Sequence, residues 1–387
     1  MKRKSRAATF RSRRRKKWVI NGAVLLIVLI LAAGGYKGYK KIQALQARNN
    51  AKQAIQTKRT EEKKDLAIHA EASTMKEKEI EEYLYSINFN GSAYIEDKGK
   101  FVISRGYGFA NLEKYKANNA ETAHLIGSAQ KTVIATAVLQ LVEQGKLSLT
   151  APISQYIPGF PNGTKILVRD FLRHTSGIKG HRVRPFYISP TQLIESIKAQ
   201  GIRSQPGKWH YLDDNYSVLA YLIQKESGQS LASYLKQHIF DVANMPSAGL
   251  GKSFYSVPNH GSSYMQSKDG ILEARSVIED FSQVFGAGDM YMNAIDLARF
   301  DQALQSGKLI SKSSVKQMLT KGPHSKYGYG VYEYPSFYVA RGVYYGYQAT
   351  NFFSKDGKKT IVLLTNGRAE LSLIKASENI FQIMNKK

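Results

Sequence analysis

Leu125-Ile126-Gly127-Ser128-Ala129-Gln130-Lys131 sets a serine hydroxyl and a lysine amine three residues apart at the head of an apolar run, and the reading of the whole chain turns on it. From Thr132 onward Ile134, Val138, Leu141 and Val142 recur at helical spacing until Gly145 stops the run. Ser128 and Lys131 therefore share one helix face about a turn apart. A lysine buried there has reason to lose its proton, because desolvation and the positive helix N-terminus both disfavour the ammonium. The amine can then accept the hydroxyl proton, and the helix-start amides can stabilise a developing oxyanion. Ser-x-x-Lys occurs six times, at Ser73, Ser128, Ser176, Ser233, Ser313 and Ser372, so spacing alone selects none of them. Only Ser128 has a preceding glycine, a preceding apolar pair and a long apolar helix behind it; the others read as exposed helix or loop residues.

With 387 residues and 43% apolar content, the chain is long enough for one large domain or two ordinary ones around a sizeable core. Residues 1–17 carry ten Lys or Arg and no acid, and the run from Trp18 to Tyr36 has Asn21 as its one clearly polar residue. A run of that length spans a bilayer, and the basic residues before it place the N-terminus in the cytoplasm and the rest outside. A cleaved signal peptide is the competing reading, with Ala32-Ala33-Gly34 as the small residues; the run is longer than a usual signal core, so a retained anchor is expected. Both readings export the domain. The absence of cysteine excludes disulfides and cysteine-based metal or redox chemistry. Residues 83–387 hold 35 basic against 22 acidic side chains, a net +13, which suits anionic neighbours such as lipid headgroups or phosphate-rich wall polymers. Nucleic acid is not expected as a partner, given the export signal and the lack of a recognisable binding motif.

Residues 37–74 are rich in Lys, Glu, Gln and Ala and read as a solvated extracellular stalk, followed by a hydrolase domain over 75–387. That domain opens with an amphipathic helix from Met75 to about Ile87 and a hairpin, Ser92–Glu96 and Lys100–Ser104, around Asp97-Lys98-Gly99. Residues of about 132–304 read as mostly helical. Strands return at Ser336–Val343, Ala349–Phe353 and Thr360–Leu364, before a closing helix over Ala369–Met384. The implied fold is α/β of the α+β kind: an antiparallel sheet built from N- and C-terminal strands, covered by helices, with a helical subdomain beside it.

A serine–lysine pair needs a third proton-handling group. The loop Pro206-Gly207-Lys208-Trp209-His210-Tyr211-Leu212-Asp213-Asp214-Asn215-Tyr216, just before the apolar helix Ser217–Lys225, offers Tyr211, whose phenol can pass a proton to a leaving oxygen or a water. Asp213 and Asp214 have an alternative reading as caps of that helix, and Tyr211 as a core residue.

The ordered motifs Ile126-Gly127-Ser128-Ala129-Gln130-Lys131, Leu172-Arg173-His174-Thr175-Ser176-Gly177, Tyr211-Leu212-Asp213 and Gly286-Ala287-Gly288-Asp289-Met290-Tyr291 resemble the serine β-lactamase and penicillin-binding-protein family, class C type, over roughly residues 83–385. The Gly-Ser-Ala-Gln-Lys wording, Phe89-Asn90-Gly91-Ser92, Gly106-Tyr107-Gly108, and Asp where the wider family has Tyr-x-Asn are similar to the FmtA-type teichoic-acid D-alanine esterases. The resemblance implies Ser128 as nucleophile, Lys131 as base, Tyr211 as proton shuttle and Asp213 orienting Lys131 and the substrate. It implies Asn215, Arg341, Gly342 and Tyr344 as substrate-binding residues. The family's third motif, Lys-Thr-Gly or His-x-Gly, finds its best match in Arg341-Gly342-Val343, with neither Lys nor His in first place. That makes β-lactamase and carboxypeptidase activity less secure. Arg341 can grip a phosphate or carboxylate bidentately, or pair locally as a surface residue. The second oxyanion donor is expected from the strand backbone near Tyr344.

His124 and His174 read as structural, eight scattered histidines make no metal-spaced cluster, and no metal or other cofactor is expected. Gly286 and Gly288 read as positions where backbone passes close to the site. The expected function is a membrane-anchored extracellular serine hydrolase that removes D-alanyl esters from teichoic or lipoteichoic acid through an acyl-enzyme on Ser128. Two rivals stand beside it: a D,D-carboxypeptidase or penicillin-binding protein acting on peptidoglycan stem peptides, and a non-catalytic wall-polymer binding or sensor protein.

Overall fold

The computed structural model describes residues 74–323, 325–368 and 372–386, with part of 36–60. The chain divides into two units, residues 1–60 and 61–387. The described residues of the first are helical. The basic tail, the expected anchor up to residue 35 and much of the stalk lie outside the described residues. No described helix is long and apolar enough to cross a membrane.

The second unit begins with α1, Met75–Ser86, whose Thr74 cap accepts from the Glu77 amide while the Glu77 carboxylate accepts from the Thr74 amide. Strands β1, Gly91–Asp97, and β2, Lys100–Tyr107, make the expected hairpin. Helix α2, Gln130–Glu143, carries Lys131. Then come α3, Pro190–Gln200, α4, Asp214–Ser227, and α5, Ala294–Ser306. The chain closes with β3, Tyr332–Glu333, β4, Phe337–Tyr344, β5, Tyr347–Ser354, β6, Lys359–Thr365, and α6, Leu373–Asn385. The main sheet has the antiparallel order β3-β4-β5-β6-β1-β2. It is the expected sheet of two chain ends, joined where β1 pairs with β6, Gly91 opposite Thr365.

The sheet's two faces follow from period-two alternation. Ala93, Ile95, Val339, Phe352, Ile361 and Leu363 face a core with Ile80 and Leu84 of α1 and Leu373, Ala376, Ile380 and Ile383 of α6. Tyr94, Ala340, Phe353, Val362 and Leu364 face the other way, into the larger core around α2 and α4. Helix α2 is buried from Gln130 to Leu141, so it is the axis of that half. The middle of the chain is less helical than expected: two small three-stranded sheets interrupt it, one joining His124–Leu125, Met290–Met292 and Gly249–Leu250 directly in front of the serine turn.

Candidate active site

Ser128 sits in a short 3-10 turn, Gly127–Ala129, which runs straight into α2. Gly127 holds φ +51°, a left-handed conformation that favours glycine, and a Cβ there would lie 2.9 Å from the Val343 amide nitrogen. One turn on, Lys131 is fully buried. Its Nζ is 2.9 Å from Ser128 Oγ, 2.7 Å from Asp213 Oδ1 and 2.9 Å from the Ala287 carbonyl oxygen. This setting opposes the loss of the lysine's proton. Burial alone would lower the Lys131 pKa, but the Tyr211 oxygen and the Asp213 carboxylate outweigh it and hold the ammonium above the ordinary lysine value. The same three partners fit the deprotonated form: its two hydrogens go to Asp213 and Ala287, neither of which can donate, and its lone pair then points at Ser128.

Asp213 stands immediately before α4, and its carboxylate serves Lys131 rather than capping the helix, with no side-chain cap bond present. Asp214 does not cap either; both its oxygens face His181, one at the backbone amide and one 2.7 Å from Nδ1. Tyr211 lies over Lys131, whose Nζ is 5.1 Å from the ring centre. The buried His174 ring supports Tyr211 from behind at 4.2 Å, with its pKa pushed well down by burial and by the Lys131 charge. His124, fully buried with its pKa lowered to about 4 by desolvation, faces the Thr122 carbonyl.

Two expected substrate contacts are corrected. Asn215 is buried, accepts from Ser176 Oγ and lies against His174 Nδ1 and the Leu212 carbonyl, so it ties two loops together behind the site. Tyr344 packs partly buried towards Phe281 and the cluster of Leu125 and Phe254. Arg341 and Gly342 do reach the site. A Cβ at Gly342 would lie 1.8 Å from the Ile126 carbonyl oxygen and 2.7 Å from the Ser128 amide, so β4 packs backbone to backbone on the nucleophile turn. Tyr345 and Gly346 both have positive φ, the signature of a two-residue hairpin turn. Tyr344 and Tyr347 then form the hydrogen-bonded pair that closes the turn, and the next pair, Val343 and Gln348, is the open one. The Val343 amide is therefore turned out of the ladder towards Ser128, on the strand backbone near Tyr344 where the second donor is expected.

The Gly286–Asp289 turn completes the site. Gly286, at φ +69°, approaches Ala220 too closely for a side chain, which brings the Ala287 carbonyl to Lys131. Asp289 is buried and accepts from Gln130 Nε2 at 2.7 Å and from the Gly286 amide at 3.0 Å; burial raises its pKa to about 6.

Ser128 opens into a cleft of about 400 Å³ whose lining includes Tyr211, Arg341, Gly342 and Val343. Trp209, Tyr327, Gly330 and Tyr332 also line it and were not singled out from the sequence. Gly330 carries a legible signal, since the alternating Tyr327-Gly328-Tyr329-Gly330 run marks backbone under constraint: at φ +81° a Cβ there would strike the Lys131 carbonyl. Among the described residues no group of His, Asp and Glu is placed to hold a metal.

The family model described as Beta-lactamase matches residues 80–384. The chain is 44% identical over 306 residues to the "Putative penicillin-binding protein PbpX" of Bacillus subtilis (strain 168), covering 79% of this chain and 78% of that one. It is 30% identical over 381 residues to the "Teichoic acid D-alanine hydrolase" of Staphylococcus aureus (strain MRSA252), covering 93% and 94%. The crystal structure of FmtA from Staphylococcus aureus superposes with a TM-score of 0.71 at 29% identity, covering 79% of this chain and 86% of that one.

Proposed function

The chain belongs to the beta-lactamase family, and from that premise we propose that it is a membrane-anchored extracellular serine hydrolase that removes D-alanyl esters from teichoic acid. The observation that carries this reading is the pairing of the Ser128 hydroxyl and the Arg341 guanidinium in one cleft. In an alanylated polyol phosphate the acyl ester and a phosphodiester sit on neighbouring carbons, so one substrate unit reaches both groups. The relative described as a teichoic acid D-alanine hydrolase supports the choice, as does the +13 charge of residues 83–387. The apolar run Trp18–Tyr36 behind a basic tail supports anchoring with the N-terminus inside.

In the proposed cycle Lys131, once deprotonated, takes the Ser128 proton as Oγ attacks the D-alanyl carbonyl. The tetrahedral oxygen charges against the Ser128 and Val343 amides. The polyol oxygen leaves with a proton passed through Tyr211, and the D-alanyl group stays on Ser128. Water, its proton taken by the same pair of groups, releases D-alanine and restores the serine. Asp213 orients Lys131 throughout.

The similarity to a penicillin-binding protein favours a second reading, hydrolysis of the terminal D-alanine of a peptidoglycan stem peptide. The purified full chain, given D-alanylated lipoteichoic acid, is expected to release D-alanine, and Ser128→Ala to abolish the release. Release from a stem peptide but not from the polymer would replace the first reading with the second. Polymer binding that survives Ser128→Ala, with no turnover of either substrate by the parent, would support the non-catalytic role.

A further inference from the structure

A second cavity, of about 260 Å³, lies between the loop 181–188 and α3, and Arg182, Arg184, Tyr187, Gln192 and Gln283 are among its walls. The loop is held from below. Gln283 Oε1 lies 3.2 Å from the Arg184 amide and 3.1 Å from His181 Nε2, while Gln283 Nε2 donates to the Phe186 carbonyl at 2.7 Å. His181 in turn is bound to Asp214, and the Ile188 amide donates to Ser282 Oγ. Neither guanidinium has an ion-pair partner among the described residues. Three nearby carboxylates are engaged elsewhere, Asp214 with His181, Asp280 with the amide and hydroxyl of Ser282, and Glu195 of α3 with Lys198.

Two guanidiniums without an ion-pair partner on a held rim, that of Arg184 lying over the Phe186 ring, with the amides of Gln192 and Gln283 and the Tyr187 phenol among the walls, form a receptor for a tetrahedral oxyanion. The volume is below the roughly 300–1,000 Å³ of a drug-sized site and suits one phosphodiester with the polyol beside it. The cavity is also joined to the catalytic groups by both of its walls. Asp214 holds the loop, and its neighbour Asp213 holds Lys131; Gln283 closes the cavity, and Ala287, four residues on, accepts from Lys131.

We infer that the Arg182–Arg184 cavity is a subsite for a phosphodiester of the wall polymer, engaging a repeat away from the one whose ester is cleaved. This rests on the teichoic-acid reading of the cleft. A polyanionic chain would then be held at two points, at Arg341 and at this cavity, and the enzyme would favour long polymers over short alanyl esters.

The test uses the full chain and its Arg182→Ala/Arg184→Ala variant. Both arginines are exposed, so a matching thermal melt checks the fold. The affinity for unalanylated poly(glycerol phosphate), measured at low and high salt, is expected to fall about tenfold in the variant, with a shallower salt dependence. KM for alanylated polymer should rise to match, with kcat unchanged and turnover of D-alanine methyl ester unaltered. Equal polymer affinity for the two proteins would overturn the subsite. So would a deficit confined to phosphatidylglycerol vesicles, which would make the loop a membrane contact; both proteins carry the same N-terminal segment, so that comparison isolates the loop. If the parent released no D-alanine, the functional reading would fail, while the affinity for unalanylated polymer would still decide the cavity.

Discussion

Burial alone would discharge Lys131, but the oxygens of Tyr211 and Asp213 outweigh it and hold its pKa above the ordinary lysine value. Activity that needs its lone pair should therefore rise with pH on the alkaline side. Asp213→Asn removes the carboxylate charge beside Lys131, leaves burial less opposed and lowers the Lys131 pKa, so the alkaline limb of kcat/KM should move to lower pH; an unmoved limb would assign the titration to another group. Lys131→Met should cost about 10²–10⁴ in kcat, the usual worth of a positioned proton acceptor. It should leave the fold intact, because the Asp213 side chain is 52% exposed and water can take the place of the amine. The stability that the charged pair contributes is fully present below the ordinary lysine value and is lost only as pH rises through the raised one. Asp289 has the opposite sense. Its carboxyl rises from 3.8 to about 6, so the folded state holds the proton more tightly than the unfolded chain. Below about pH 4 it costs nothing, and as pH climbs past 6 its ionisation costs about 3 kcal/mol. Asp289→Asn keeps an acceptor for Gln130 and Gly286 but cannot ionise. Urea unfolding should show the variant gaining up to about 3 kcal/mol on the parent between pH 4 and pH 7.5, and a gap independent of pH would refute the assignment.

At the scale of elements, helix and strand periodicity explain which site residues were legible. Ser128 and Lys131 are three positions apart in a helical run, hence on one face, and context picked them out of six candidates. Asn215 follows Asp213 by two positions at the head of a helix, about 200° around its axis, so it turns to the opposite side and ties loops instead of meeting substrate. Tyr344 follows Val343 in a strand and is turned to the other face by the pleat. Motif proximity along the chain could not supply these rotations. Trp209, Tyr327 and Tyr332 escaped for a different reason: they meet at the cleft only through packing of segments more than a hundred residues apart. The close packing of β4 on the Ser128 turn makes a prediction. Gly342→Ala puts a methyl where the Ile126 carbonyl and the Ser128 amide stand, so the strand must retreat. Stability should fall by about 1–3 kcal/mol. The Val343 amide should leave the oxyanion position, lowering kcat about 10²–10³-fold with little change in KM. Loss of stability with kcat retained would remove Val343 from that role.

For the whole molecule, the alternating and apolar runs foretold the sheet of two chain ends, because its strands are buried on both faces or alternate cleanly. The loops of the middle region carry little periodicity, which is why the small sheets in front of Ser128 and the Arg182–Arg184 loop were not anticipated. Joining β1 to β6 brings Gly91 against Thr365, so the sheet that carries Val343 is complete only when the last part of the chain has docked. Helix α6 performs that docking with Leu373, Ala376, Ile380 and Ile383 on the sheet face opposite the catalytic core. The two faces thus divide the labour, one holding the sheet shut and the other positioning Ser128, Lys131 and Asp213. Ile380→Ala removes a fully buried side chain from the first face and should cost about 2–5 kcal/mol. The cost should appear as a lower melting temperature with KM and kcat unchanged well below it, because no catalytic group touches that face. A fall in kcat at low temperature, with the fold intact by circular dichroism, would mean instead that α6 sets the register of β4 against the nucleophile turn.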